Sequence, residues 1–141
     1  MTKNKGLRLV IDTNLWISFL ISNRLQKLDA LLRIDGLRFL FSKELLDELA
    51  QTMEKPKLQK YFAPDALEEM LQALAYFIEI VTVNSKVHLC RDPNDDFLLA
   101  LAKDGNAAYL LTGDRDLLEL SQFENTRILT ITQFLSELEI A

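Results

Sequence analysis

The sequence is poor in the residues that most often carry covalent and soft-metal chemistry. One cysteine, Cys90, and one histidine, His88, occur in 141 residues, so no internal disulfide can form and no set of soft ligands exists for a structural zinc site. The four glycines, Gly6, Gly36, Gly105 and Gly113, cannot be arranged as G-x-G-x-x-G or G-x-x-x-x-G-K-[ST]. That spacing excludes the dinucleotide fingerprint and the P-loop. No apolar run approaches the roughly 20 residues of a membrane helix, and the polar, basic stretch Met1–Arg8 is followed by no apolar segment of signal-peptide type. A cytoplasmic protein without membrane association is the expectation. With no repeat and no Gly/Ser/Pro linker, residues 1–141 read as one domain with its core in about 7–135.

What the chain has in excess is carboxylate. It carries 21 Asp plus Glu against 16 Lys plus Arg, a formal charge of -5. The surplus is uneven: residues 1–60 hold 11 basic and 7 acidic side chains, whereas residues 61–141 hold 5 and 14. Any catalysis is therefore expected to run on oxygen groups, and the placement of the acids decides which chemistry.

Strand and helix patterns alternate along the chain. Leu7–Ile11 (LRLVI), Leu37–Phe41 (LRFLF), Ile80–Val83, Ala108–Thr112 (AYLLT) and Arg127–Leu129 read as five short buried strands. Between them lie helical patterns: one or two after Asp12-Thr13-Asn14, one capped by Ser42, one opened by Asp65 with Glu68 and running through Phe77, and an apolar helix from Asn94 to Asp104 stopped by Gly105. A short helix through Leu117 and Leu120 and a terminal helix from Thr132 complete the pattern. Strands separated by helices run parallel with helices on both faces, so the expected fold is a three-layer α/β/α sandwich around a five-stranded parallel sheet.

In open parallel sheets, ligands bind beyond the carboxyl ends of the strands. The first strand ends at Asp12 and the fourth at Asp114, with Asp116 two residues on. Asp92, Asp95 and Asp96 sit at the start of the apolar helix, and Glu44 and Glu48 share one face of the helix after the second strand. Each acid alone suits an N-cap or a solvated helix face. Four chain segments delivering acids to one rim is different, because converging carboxylates repel and raise one another's pKa unless protons or cations intervene. With no His or Cys to favour zinc, Mg2+ or Mn2+ is the cation this donor set prefers.

The order V-I-D-T-N, S-K-E-L-L-D-E-L, R-D-P-N-D-D and L-L-T-G-D-R-D-L-L resembles the PIN domain family of nucleases, in particular the VapC-like toxins of toxin-antitoxin systems. The resemblance covers about Leu7 to Leu135. It implies a PIN-like sheet and a Mg2+- or Mn2+-dependent endoribonuclease leaving a 3′ hydroxyl and a 5′ phosphate. It further implies that Asp12, Glu48, Asp95 and Asp114 are the catalytic, metal-binding acids. Asn14 accompanies Asp12, Thr112 places a hydroxyl near the site, and Asp116 and Asp92 are supporting groups. D-P-x-D selects Asp95 over Asp96, and successive helix residues point about 100° apart, so one of the pair at most is a ligand.

An acidic protein that binds RNA needs local cations, since phosphate contacts supply most of the affinity. Lys43, Lys55, Lys57 and Lys60 in the basic first half are candidates, with Arg91 and Arg115 flanking the site motifs. The aromatic residues fall mostly at core spacing, which offers no evident platform for stacking bases. His88 reads as a loop residue, Cys90 as a small filler and Trp16 as core or subunit interface. The resemblance adds two partners, a small antitoxin protein and a second copy of the chain. The alternative function on the same fold is a non-catalytic cation- or RNA-binding regulatory module. A phosphoacceptor receiver is disfavoured because Asn84 and Thr130 stand where it needs Asp and Lys, and a haloacid-dehalogenase-type phosphatase because Asn14 replaces the second acid of D-x-D.

Overall fold

The computed structural model describes residues 6–21 and 25–140; the basic N-terminal pentapeptide and the junction at 22–24 lie outside the described residues. The elements are β1 (Leu7–Ile11), α1 (Thr13–Ile21), α2 (Leu25–Leu32), β2 (Leu37–Phe41), α3 (Lys43–Met53), α4 (Pro56–Gln59), α5 (Ala66–Ala73), β3 (Ile78–Ile80), α6 (Pro93–Asp104), β4 (Tyr109–Leu111), α7 (Arg115–Leu120), β5 (Gln122–Phe123), β6 (Thr126–Leu129) and α8 (Ile131–Ile140). The sheet order is β3-β2-β1-β4-β6-β5. The first five of these strands in spatial order pair in parallel, and β5 pairs antiparallel with β6. Helices flank this sheet: α6 lies against β1, β2 and β4 and packs on α3, whereas α8 lies on β6 and packs on α2.

The topology positions the site. From β1 the chain moves outward through β2 to β3, then crosses back to place β4 on the other flank of β1. The connections leaving β1 and β4 therefore diverge, and a crevice opens beyond their carboxyl ends. β1 ends there because Asp12 caps the next helix: its Oδ1 accepts the Leu15 amide at 2.8 Å, and its own carbonyl accepts Trp16 N–H at 3.1 Å. Ser42 does the same for β2, accepting Leu45 N–H at 3.1 Å.

Behind the crevice the core is aromatic and dry. Trp16 is fully buried, with ring centroids 5.1 Å from Phe39, 5.2 Å from Phe41 and 5.9 Å from Phe19. Burial of each such side chain contributes roughly 1.5–3 kcal/mol, which fixes α1 against the sheet and with it the strand-to-helix turn that carries Asp12. Among the described residues, Trp16 Nε1 is the buried side-chain polar atom without a hydrogen bond. Trp16 is thus a core residue within this chain.

Four expectations need correction. The sheet has a sixth strand, β5, because a tight hairpin with Glu124 at φ 51° folds Gln122–Phe123 back on β6; no glycine marks that turn. The third strand is Ile78–Ile80, not Ile80–Val83. Its register pairs Phe41 with Ile80, and since β2 gives way to α3 after Phe41, the alternating residues beyond Val81 have no ladder to join. The Asp65 carboxylate makes no capping hydrogen bond, its φ/ψ of -105°/18° lying outside the extended cap geometry, and α5 stops at Ala73 before a 3-10 turn at Ala75–Phe77. α6 does end at Asp104 with Gly105 next, as expected, and the left-handed position follows at Asn106, φ 52°. Gly105 is required for space, since a Cβ there would lie 2.6 Å from Leu40 Cδ1. The terminal helix starts at Ile131, where Thr130 and Gln133 exchange capping bonds of 3.0 Å.

Candidate active site

The crevice contains a polar cleft of about 190 Å3, lined on its acidic walls by Asp12, Glu48, Asp92, Asp95 and Asp114 and completed by Thr13, Asn14, Thr52, Lys55 and Leu98. Each wall comes from a different element. Asp12 lies at the end of β1, Glu48 one turn inside α3, Asp95 in the first turn of α6, and Asp114 at the cap of α7. A second hollow, running outward past Asn14, Ser18 and Gly113, shares Asp12 and Asp114 with the cleft.

Hydrogen bonds hold these acids in place. Asp12 is buried and accepts the Thr112 hydroxyl on Oδ2 while Leu15 N–H occupies Oδ1. Thr112 in turn accepts the Asp114 amide at 3.0 Å, so one buried hydroxyl ties the ends of β1 and β4 together. The Asp114 carboxylate accepts Asp116 N–H at 2.8 Å as the cap of α7. Glu48 accepts the Thr13 hydroxyl at 2.6 Å, which fixes the α3 acid against the turn after β1.

The electrostatics of the cleft are those of uncompensated like charge. Burial, reinforced by Asp114, Asp92, Asp12 and Asp116, pushes the Asp95 carboxyl up to about 7. Burial also raises Asp12; the Thr112 hydroxyl and the Leu15 amide oppose that rise, and the charge of Asp114 adds to it. Its neighbour on α6 behaves oppositely. Burial raises Asp96, but the amides of Cys90 at 2.9 Å and Leu89 at 3.0 Å outweigh it and hold the carboxyl below its ordinary value. Asp96 is thereby committed to fastening the irregular segment before α6, and it does not line the cleft. The Cys90 thiol beside it is driven up to about 12 by burial and by its contact with Asp96, so it stays a protonated filler.

Of the sequence-predicted residues, Asp12, Glu48, Asp95, Asp114, Asn14 and Asp92 line one cleft. Thr112 stands behind Asp12, and Asp116 contributes an amide to Asp114 and its charge to Asp95. Arg91 and Arg115 are exposed and outside the cleft lining, and Lys43 is exposed and paired with Asp47 at 3.1 Å. Sequence reasoning missed Thr13, whose signal was its place inside D-T-N, and passed over exposed aromatics: Tyr61, Tyr76 and Phe97 all face solvent.

The cleft offers oxygen donors and one amine, with no His or Cys in its lining. That chemistry suits a hard divalent cation, and partial protonation at neutral pH is the sign of a charge excess that a cation would relieve. Among the described residues, no group of three or more His, Cys, Asp and Glu side chains is gathered as a ready-made metal site. No helix among them is long and apolar enough to cross a membrane.

Comparison with known proteins agrees with this layout. No curated protein matches the chain. Among solved structures, the PIN domain of T. brucei RRP44 superposes with a TM-score of 0.52 over 96% of this chain and 83% of that one, at 16% identity. At that identity the likeness is one of fold. The PIN domain family matches residues 8–116, the span that runs from β1 through the acids of β4 and α7. On that match, over most of its length, this chain belongs to the PIN domain family.

Proposed function

We propose that this protein is a divalent-metal-dependent ribonuclease that hydrolyses RNA phosphodiester bonds at the cleft between β1 and β4. The observation that carries the reading is the convergence of Asp12, Glu48, Asp95 and Asp114 on one small cleft in which the Asp95 carboxyl is pushed up to about 7. The RRP44 PIN domain and the family match support a nuclease fold around those acids.

In this reading the four carboxylates would hold Mg2+ or Mn2+, and the bound ion would activate a water and neutralise charge at the scissile phosphate. The chain's own residues do the positioning. Thr112 and the Leu15 amide orient Asp12, and Thr13 orients Glu48. Asn14, exposed at the mouth, is available to the strand, and Lys55 gives the cleft its cationic edge for a phosphate oxygen. No side-chain nucleophile is required. The resemblance of the sequence motifs extends the reading to the toxin of a toxin-antitoxin pair, held inactive by a small protein partner, and to 3′-hydroxyl and 5′-phosphate products.

The test is hydrolysis of a single-stranded RNA panel with Mg2+ or Mn2+ present. Asp12→Asn is expected to lower kcat by about 100- to 1,000-fold. Activity that survives the substitution would overturn the assignment, and binding of RNA or cation without cleavage by the wild type would favour the regulatory module instead. Co-purification of a small protein from the native host tests the toxin role.

A further inference from the structure

The hollow that runs outward past Asn14, Ser18 and Gly113 has a volume of about 340 Å3, within the range of small-ligand sites, about 300–1,000 Å3. It adjoins the acid cleft directly. Asp12, Asn14 and Asp114 line both spaces, so cleft and hollow meet at these three residues. Beyond them the linings separate: Thr52 and Lys55 belong to the cleft, whereas Leu15 and Ser18 of α1 and Gly113 of the turn between β4 and α7 belong to the hollow. Asn14, Leu15 and Ser18 fall within about 100° of one another around α1, on the face that the buried Trp16, Ile17 and Phe19 leave out of the core.

The two spaces differ in charge. The cleft presents five carboxylates and one amine, but what the hollow adds to the shared residues is neutral: an aliphatic side chain, a hydroxyl and bare backbone. A strand of RNA alternates in the same way, each charged phosphate being bonded to a neutral ribose with its base. A phosphate held at Asp12 and Asp114 therefore has a neutral unit attached to it, and the hollow is a neutral space that begins at those two residues.

Gly113 supplies an independent observation. Its backbone lies outside the left-handed region, and a Cβ added there would meet no heavy atom within 4 Å. Neither conformation nor packing within the chain calls for glycine here, in contrast to Gly105, whose Cβ would strike Leu40. A side chain at 113 would stand on the wall of the hollow with nothing of the chain to pack on. What its absence provides is close approach to the backbone.

We propose that the hollow seats the nucleoside on one side of the scissile phosphate, lying on Leu15 and against the bare backbone of Gly113. The Asn14 carboxamide stands at its polar edge, exposed and with no side-chain hydrogen bond among the described residues. Gly113 is then a positioning residue, since the room it leaves fixes where the strand passes as it leaves the acids, between α1 and the turn after β4. This proposal rests on the ribonuclease reading, which supplies the strand.

The test is a coupling between the wall and the substrate. Gly113→Leu is expected to keep the melting temperature of wild type, with and without Mn2+, and to lower kcat/KM about 100-fold on the single-stranded RNA that wild type cuts most readily, as a misplaced substrate does. Gly113→Ala, the smallest addition, shows the same pattern with a smaller loss. Two further substrates replace the nucleoside on the 5′ or on the 3′ side of the scissile phosphate by a propanediol spacer. On one of them wild type and variant become equal, because the unit obstructed by the new side chain is gone, and on the other the gap persists. A Gly113→Leu protein that cuts the unmodified RNA at the wild-type rate, or a gap that responds equally to the two spacers, overturns the hollow and leaves the nuclease standing. A wild type that cuts no RNA overturns the ribonuclease reading, and the hollow with it.

Discussion

Helix α6 separates two groups of carboxylates that obey opposite rules. On the cleft side Asp95 faces Asp12, Glu48, Asp92 and Asp114, and its carboxyl is pushed up to about 7. On the other side Asp96 and Asp104 each accept two backbone amides from the segment 84–90, and both carboxyls lie below their ordinary value, Asp104 chiefly through its bonds to Ser85. Asp95 and Asp96 are the same residue type in consecutive positions of one helix. What differs is the supply of donors: four amide bonds satisfy the fastening acids, whereas the shift of Asp95 is set by burial and by the charges of the other acids around it. One set is finished by the fold, and the other is left for a ligand to finish.

The largest effect expected of that division is in the response to cation. Wild-type protein should gain stability when Mn2+ or Mg2+ is added, by about 2.7 kcal/mol at a hundred times the dissociation constant. Asp95→Asn should lose most of this gain, because it removes a charged donor from the cleft. Asp96→Asn should keep the gain even though its baseline stability changes. Thermal melts with and without metal check this, and an Asp96→Asn protein that loses as much of the gain as Asp95→Asn would break the comparison.

The next effect is on pH and needs no metal. Asp95 has a folded value of about 7 against an ordinary 3.8, so between those values the folded state keeps a proton that the unfolded state has released. Stability therefore falls as pH rises from about 4 to 7, by on the order of 3 kcal/mol; the contribution is fully present below about pH 4 and is lost as pH rises through about 7. Asp96 and Asp104 act in the other direction. Their folded values lie below 3.8, so their stabilisation is present above that pH and is lost as pH falls through the folded values. Metal-free protein should then be most stable in mildly acidic solution. Asp95→Asn should flatten the neutral limb of a denaturation series and Asp104→Ala the acid limb. A neutral limb unchanged in Asp95→Asn would show that the cleft acids are compensated by something other than protons.

How much of this was written in the sequence depends on whether a feature is local. The strands LRLVI and LRFLF, the turn D-T-N and the rim of acids follow from short-range pattern and parallel topology, and the structure realises them with Asp12 at the end of β1 and Asp114 after β4. The choice between Asp95 and Asp96 is not local. Both occupy the first turn of α6, and which one is released to the cleft is decided by where the amides of Leu89 and Cys90 arrive. The alternating residues after Val81 carry a strand's pattern, yet a strand requires a neighbour, and β2 has already turned into α3. Phe97 reads as core in F-L-L-A-L-A, and only the packed helix reveals that it stands on the open side. The hairpin of β5 was invisible because a glutamate, Glu124, takes the left-handed position that glycine usually advertises.

The smallest effect carries the same division over to the bases. Lys43 is exposed and held by Asp47 at 3.1 Å, one turn along α3, whereas Lys55 lines the acid cleft and joins no ion pair among the described residues. A lysine with a partner has less to gain from a phosphate, and an exposed pair of this kind is worth under about 1 kcal/mol in any case. Removing Lys55 should therefore weaken binding of single-stranded RNA to an Asp12→Asn background only a few-fold, roughly uniformly over sequences. It should also lower the slope of log affinity against log salt by about one phosphate contact. Lys43→Ala should leave both quantities within error of the parent. Equal losses from the two lysines would mean that RNA is drawn by the diffuse charge of the first half of the chain. A loss confined to Lys55 ties the RNA to the cleft, where a single amine stands against five carboxylates and the remaining compensation must come from the cation.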